Sequence, residues 1–216
     1  MKYIMNALVL VDIQPTFMPG GGLPVPKGDE VVPVANEMIK KFEAAGDIVV
    51  VTQDWHPEDH CSFAECYKGP DAPYAIFDKV VTQGVERTLW PKHGVQDTAE
   101  AEPHPDLKLS ESTIFIKKGM DPNVDSHSAF WGHARQTNTG LAAKLREAGV
   151  LPGSKVFFLG LATGVCLILS ALDSVEEGYE TIVIIDGCRA ISSESHRKAV
   201  ADMVDAGISV VFSRHV

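Results

Sequence analysis

Cys166 is the residue of this chain whose surroundings best suit nucleophilic chemistry. It follows the apolar run Val156–Leu159, which is typical of a buried strand, and precedes a helical pattern. Small residues lie between this apolar strand and the cysteine: Gly160, Ala162, Thr163 and Gly164. A thiol where a helix begins meets unpaired N–H groups that favour a thiolate and could hold a substrate oxyanion. A lone cysteine is more often simply buried, so the prediction needs support from other residues.

Asp12 and Lys118 supply that support, because each follows an apolar strand pattern, Ala7–Val11 and Thr113–Ile116 respectively. The carboxyl ends of parallel strands meet at one edge of a sheet, where ligands collect. A thiol is only a few per cent ionised at neutral pH, so it needs a cation and a proton acceptor. The same carboxyl group could then protonate a departing amine. The set predicts acyl transfer from an amide, although a cap or turn role for Asp12 stays open.

Asp54 and His56 indicate a second kind of site. They stand two residues apart beyond the predicted strand Ile48–Thr52, so both side chains can point the same way. A carboxylate and an imidazole suit zinc or iron, and His93 is a candidate third ligand. The sequence therefore predicts a divalent metal site beside the acyl-transfer residues.

The elements that position these residues alternate between strand and helix. Six strand patterns, most of them separated by helical ones, predict an α/β fold of three layers, α/β/α, with a mainly parallel six-stranded sheet covered by helices on both faces. Pro15–Pro26 is a predicted loop, and Cys61–Ser112 is a predicted excursion over the functional face. We expect residues 1–216 to form a single domain.

Composition narrows the class of protein. The chain has 216 residues and a formal net charge of −10 with no basic cluster, which argues against nucleic acid or an anionic membrane as partner. Four scattered cysteines suit a reducing, cytoplasmic location. The apolar N-terminal segment to Val11 is interrupted by Asp12 and Gln14, which favours a first strand over a signal peptide. No run reaches the ~20 apolar residues of a membrane span, and a homo-oligomer stays open.

Several motifs in order give the chain a family resemblance. They are Val11-Asp12-Ile13-Gln14, Gly20-Gly21-Gly22-Leu23, the segment 54–63, Trp90-Pro91-Lys92-His93, Lys118-Gly119, the segment 125–130, Gly160–Cys166 and Ala171-Leu172-Asp173. With these motifs the chain resembles the nicotinamidase branch of the isochorismatase-like cysteine hydrolases, from residue 7 to about residue 212. The resemblance implies that nicotinamide, and with it pyrazinamide, is hydrolysed through a cysteine thioester.

The resemblance also implies a role for each matched residue. Asp12 would be the general base and acid, Lys118 the thiolate-stabilising cation in preference to Lys117, and Cys166 the nucleophile. The N–H groups of Ala162 and Cys166 would form the oxyanion hole, and the Leu161–Ala162 peptide bond would be cis. A divalent ion, with zinc favoured over iron or manganese, would orient the pyridine nitrogen and be held by Asp54, His56 and His93. The implied substrate-binding residues are Phe17, Leu23, Trp90, His127, Leu161 and Val165.

Departures from the family pattern leave alternatives. Relatives usually carry an acidic or polar residue and then a bulky one where this chain has Gly164-Val165, which could alter the substrate. A related amidohydrolase acting on a carbamoyl or ureido compound is one alternative, and a non-enzymatic binding protein is another. His60, which we expect to be a loop histidine, and Glu65 are further candidates for a fourth metal ligand, as are waters.

Overall fold

The computed structural model describes residues 5–82 and 84–216, and it confirms the α/β architecture. Residues 1–4, the start of the predicted N-terminal apolar segment, lie outside the described residues. The central sheet has six strands: β1 (Ala7–Val11), β2 (Ile48–Asp54), β5 (Ile114–Lys118), β6 (Lys155–Leu161), β7 (Glu180–Arg189) and β8 (Ser209–Val211). These strands are parallel and lie in the order β5-β2-β1-β6-β7-β8.

Four α-helices of the described residues connect and cover these strands. They are α1 (Val31–Ala45), α2 (Leu141–Glu147), α3 (Ile168–Glu176) and α4 (Ser193–Asp205). From β1 to β2 the chain moves towards the β5 edge of the sheet, and from β6 to β8 it moves towards the opposite edge. Because crossovers between parallel strands are right-handed, α1 lies on one face of the sheet and α3 and α4 lie on the other. Within residues 5–82 and 84–216, none of the helices combines the length and the hydropathy of a membrane span.

The central strands are buried because helices cover both faces of the sheet. All five residues of β1 are fully buried, as the continuous apolar run predicts. Strand β2 is two residues longer than predicted. Its last residues, Thr52, Gln53 and Asp54, are polar, but they are buried and pair with β5. The register sets Asp54 directly beside Lys118.

The excursion between β2 and β5 contains a hairpin that the sequence analysis missed. Its strands are β3 (Lys79–Thr82) and β4 (Val85–Thr88), which pair antiparallel. They are short and partly charged, so they carry little of the alternation that marks a strand. Backbone bridges from Phe63 to Trp90 and from His56 to Val95 bring the rest of the excursion back over the sheet.

Candidate active site

Lys118 is the centre of a buried cluster at the carboxyl ends of the strands. Its Nζ lies 3.0 Å from Asp12 Oδ2 and 2.5 Å from Asp54 Oδ1, and it donates to the Ser126 carbonyl oxygen at 3.1 Å. The same nitrogen lies 3.6 Å from Cys166 Sγ. One ammonium group thus contacts the predicted acid, the predicted nucleophile and a predicted metal ligand. Lys117, the alternative lysine, is exposed and lies over the Trp55 ring instead.

Burial governs the protonation of this cluster. It raises the pKa of the Cys166 thiol well above its ordinary range; Lys118 acts in the opposite direction, and the Asp12 charge adds to the rise. Burial likewise raises the pKa of Asp12 against the pull of Lys118. The sequence predicts a thiolate favoured by its surroundings, whereas burial in the folded chain favours the protonated thiol, next to a carboxyl group whose pKa is also raised. Such a pair suits proton transfer during the attack itself.

The charges on Asp12 and Asp54 make Lys118 a structural residue as well. Burial acts to lower the pKa of Lys118, but the two carboxylates outweigh it and hold that pKa well above the usual value. In metal-free protein, Lys118→Met would leave both carboxylates buried without a cation. We expect the free energy of unfolding, measured by urea denaturation, to fall by about 3–5 kcal/mol. Lys117→Met is the matched control, and equal losses in the two variants would contradict this account.

The turn that carries Cys166 differs from the predicted helix start. Residues Thr163–Leu167 form a single π-helical turn, and α3 begins only at Ile168. The peptide bond between Leu161 and Ala162 is cis, as the resemblance implies. Gly160 has a φ of 128°, and a Cβ there would overlap the Val11 carbonyl oxygen. Only glycine lets β6 pass so close to β1, which places the cysteine turn beside Asp12.

Asp54, His56 and His93 form a buried group suited to a metal ion. One potential ligand atom from each lies within 4.8 Å of the others. Nδ1 of His56 lies 3.0 Å from the Gly119 carbonyl oxygen, and Nδ1 of His93 lies 2.8 Å from that of Pro91. Because a carbonyl oxygen only accepts, each Nδ1 carries a hydrogen, so Nε2 of each neutral ring has the free lone pair that a metal ligand needs.

The two Nε2 atoms converge on one carboxylate. They lie 3.6 Å and 3.7 Å from the two oxygens of Asp54, His56 on Oδ1 and His93 on Oδ2. Burial and the neighbouring His56 lower the pKa of His93 to about 4, which keeps that imidazole in the neutral form that binds metals. The donor set, its tautomers and its burial therefore fit a divalent ion such as zinc.

The two candidate fourth ligands lie outside this group in the described part of the chain. His60 packs against the His56 ring, but its Nδ1 lies 2.7 Å from Ser62 Oγ and its Nε2 lies 3.3 Å from the Val124 carbonyl oxygen. Glu65 is exposed and forms an ion pair with Lys92 at 2.9 Å. Both ring nitrogens of His60 are thus engaged by Ser62 and Val124, and its role as a loop histidine stays a prediction.

Gly119 gives a test of the metal group that leaves the ligands themselves unchanged. Its φ is +66°, and a Cβ there would overlap Cε1 and Nδ1 of His56. We expect Gly119→Ala to displace that ring and weaken zinc affinity, measured by chelator competition, by roughly tenfold or more. Gly46→Ala is the matched control, since Gly46 has a φ of +78° with open space around it. Equal zinc affinity in both variants would remove His56 from the ligand set.

A cavity opens beside the thiol and the metal group. Its lining residues are Phe17, Leu23, Val25, Asp54, Trp90, His93, His127, Ala162, Val165, Cys166 and Ile191. Five of the six predicted substrate-binding residues are in this lining. Leu161 is not: it is fully buried, with its Cδ1 directed towards Gly28, because the end of β6 turns that side chain into the core. Val25 and Ile191 were missed, since each is a single apolar residue in a loop.

Gln14 is another functional residue that the sequence did not reveal. Its side chain accepts from the Asp54 N–H at 2.8 Å and donates to the Asp54 carbonyl oxygen at 2.9 Å. It donates as well to the Ala101 carbonyl oxygen at 2.6 Å. The buried amide therefore fixes the backbone of the metal-binding carboxylate from both sides. A glutamine two residues beyond Asp12 was visible, but its partner 40 residues away was not.

Comparison with known proteins adds to this geometry. The isochorismatase domain family model matches residues 6–214. The nicotinamidase of Acinetobacter baylyi is 39% identical over 100% of this chain and 97% of its own length. The nicotinamidase of Escherichia coli K12 is 38% identical over 92% of this chain and 89% of its own length.

Solved structures match over similar lengths. A nicotinamidase/pyrazinamidase of Acinetobacter baumanii has a TM-score of 0.88 and 37% identity, covering 100% of this chain and 99% of that one. The pyrazinamidase of Pyrococcus horikoshii, in complex with zinc, has a TM-score of 0.79 and 37% identity, covering 96% and 98%. A protein of L. infantum in complex with nicotinate has a TM-score of 0.80 and 30% identity, covering 97% and 93%.

Proposed function

The chain belongs to the isochorismatase domain family, and from that premise we propose that it is an amide hydrolase that converts nicotinamide to nicotinate and ammonia. Pyrazinamide, an aromatic amide of the same shape, is its second expected substrate. One observation carries the proposal: a single buried lysine contacts the Asp12 carboxylate and the Cys166 thiol beside a metal-ligand group. The comparisons do not favour the carbamoyl or ureido alternative.

Proton transfer between Cys166 and Asp12 drives the proposed reaction. The thiol gives its proton to Asp12 as the sulfur attacks the amide carbon, and Lys118 stabilises the sulfur as it becomes anionic. The N–H groups of Ala162 and Cys166 hold the oxyanion of the tetrahedral intermediate. Asp12 then protonates the amine, because an amide anion is too basic to leave, and ammonia departs. A thioester on Cys166 remains.

The second half of the reaction uses the same groups. Asp12, ionised again, takes a proton from water, and the hydroxide attacks the thioester carbon. Collapse releases nicotinate and returns the proton to the cysteine sulfur. The raised pKa of Asp12 suits a carboxyl group that must both accept and deliver a proton near neutral pH.

Asp54, His56 and His93 would hold the metal ion, for which we propose zinc, with iron and manganese as alternatives. When bound, the ion supplies a ligand site for the pyridine nitrogen and so orients the amide. The remaining walls are aromatic and aliphatic: Phe17 and Leu23 from the loop after β1, Trp90 from the excursion, and Val165 next to the thiol. They exclude water and hold a flat ring.

The cellular location, the pathway and the oligomeric state of the enzyme belong to the same proposal. Four cysteines without disulfide bonds support a cytoplasmic location. Nicotinate production supports a place in the salvage of nicotinamide for NAD synthesis. We propose that residues 1–216 form one catalytic domain. We also propose that the enzyme forms a homo-oligomer, which light scattering would detect.

The substrate assignment is tested by comparing initial rates of ammonia release from several amides. Purified zinc-loaded protein is given nicotinamide, pyrazinamide, and carbamoyl and ureido compounds. We expect kcat/KM to be highest for the two aromatic amides. No ammonia from nicotinamide, together with release from a ureido compound, would overturn the proposal and point to Val165 as the residue that changed the substrate.

A further inference from the structure

We propose that Thr52 is a positioning residue that assigns separate tasks to the two oxygens of Asp12. This inference rests on the proposed function, in which Asp12 carries the proton. Thr52 lies in β2, fully buried, and neither its type nor its place in a strand marks it as functional. Its hydroxyl group, however, is in contact with both the backbone and the side chain of Asp12.

The two contacts fix the direction of the hydroxyl proton. Thr52 Oγ1 accepts a hydrogen bond from the Asp12 N–H at 3.1 Å. The same oxygen lies 2.6 Å from Asp12 Oδ1. An ionised carboxylate only accepts, so the hydroxyl donates its single proton to Oδ1. That oxygen is thereby held in place.

The other carboxylate oxygen, Oδ2, is available for proton transfer. It lies 3.0 Å from Lys118 Nζ, but within residues 5–82 and 84–216 it accepts no hydrogen bond of good geometry. Cys166 Sγ and a carboxylate oxygen of Asp12 lie within 4.8 Å of each other. Oδ2 is therefore the oxygen to which we assign the thiol proton, while Thr52 prevents the carboxylate from rotating.

The backbone of Asp12 explains why such a restraint is needed. Asp12 has a φ of 49°, in the left-handed region that non-glycine residues adopt rarely and that surrounding contacts must hold. Thr52 occupies the N–H of that residue as well as its carboxylate. Because threonine is β-branched and lies in a buried strand, its own side chain has few alternative rotamers.

The test compares Thr52→Val with Thr52→Ser in the zinc-loaded protein. Valine keeps the shape of threonine and removes the hydroxyl group, whereas serine keeps the hydroxyl and removes a methyl group. We expect Thr52→Val to lower kcat for nicotinamide by about 10- to 100-fold with KM within about twofold, since orientation and not binding is lost. Thr52→Ser is expected to restore kcat to within about threefold of wild type.

Thr181→Val is the matched control, because Thr181 is a buried threonine of β7 whose hydroxyl donates to Ser174 Oγ, away from the site. Its kcat should equal that of wild type. An unchanged kcat in Thr52→Val, with active wild type, would overturn this role and leave the proposed function intact. Equal losses in the serine and valine variants would also overturn it, because the methyl group would then be responsible. Inactive wild-type protein would refute the proposed function and this role with it.

Discussion

We expect Cys166→Ala to lower the rate of ammonia release from nicotinamide by roughly 10³-fold or more. The substitution removes the only group of the site that the mechanism uses to form a covalent bond to the acyl carbon. Lys118 keeps its contacts with Asp12 and Asp54, so the fold and the zinc content should be unchanged. The measurement is single-turnover ammonia release at saturating nicotinamide, with zinc measured on the same sample.

The control for this variant is Cys188→Ala. Cys188 is also buried, its Sγ lies 3.1 Å from the Ile184 carbonyl oxygen, and burial raises its pKa to about 12. It contributes to the core and has no part in the mechanism, so its loss should leave kcat unchanged. Activity near wild type in Cys166→Ala, or equal losses in both variants, would show that the thiol is not the nucleophile.

The second large effect is expected for Asp12→Asn, which should lower kcat by roughly 10²- to 10⁴-fold. An amide has the shape of the carboxyl group but can neither take the thiol proton nor deliver it to the departing amine, which leaves as ammonia. Lys118 would still pair with Asp54, so the cluster keeps one ion pair. Both half-reactions need the proton carrier, so thioester formation and hydrolysis should slow together.

Asp71→Asn, at an exposed position, is the control for the change of charge. Its kcat should equal that of wild type. The account would fail if Asp12→Asn hydrolysed nicotinamide within a few-fold of wild type. In the described part of the chain, the other carboxyl group that lies close to both Lys118 and Cys166 is that of Asp54, which is a metal ligand in the proposal.

Local pattern was sufficient to predict the centre of the sheet and the residues at its carboxyl edge. Strands β1 and β6 are apolar runs because both faces are buried, and a run of that kind is visible in a single sequence. Asp12 and Lys118 then follow from where their strands end. The parallel topology brings these ends together, so a correct fold class also predicts which of these residues meet.

What the sequence analysis missed depends on contacts between distant segments. The predicted strand ends at Thr52, two residues before the end of β2, because burial of Gln53 and Asp54 depends on pairing with β5. Thr52 and Gln14 hold Asp12 and Asp54 across 40 residues, and neither residue type signals such a partner. Leu161 is predicted to line the cavity, but at this sharp turn its neighbour Ala162 faces the cavity instead.

The direction of the pKa shift of Cys166 also becomes visible only in the structure. From sequence, a lysine and the start of a helix favour a thiolate. In the folded chain, burial and two nearby carboxylates outweigh Lys118 and raise the pKa of Cys166. The raised pKa of the thiol therefore follows from the three-dimensional arrangement, which no single motif contains.

The acyl group on Cys166 is the central claim, and trapping it is the most direct measurement. A turnover mixture with nicotinamide is quenched in acid within milliseconds, and the peptide that contains Cys166 is examined by mass spectrometry. We predict a nicotinoyl group on that cysteine in wild-type protein and none in Cys166→Ala. A nicotinoyl group on another residue, or one that persists in Cys166→Ala, would contradict the mechanism.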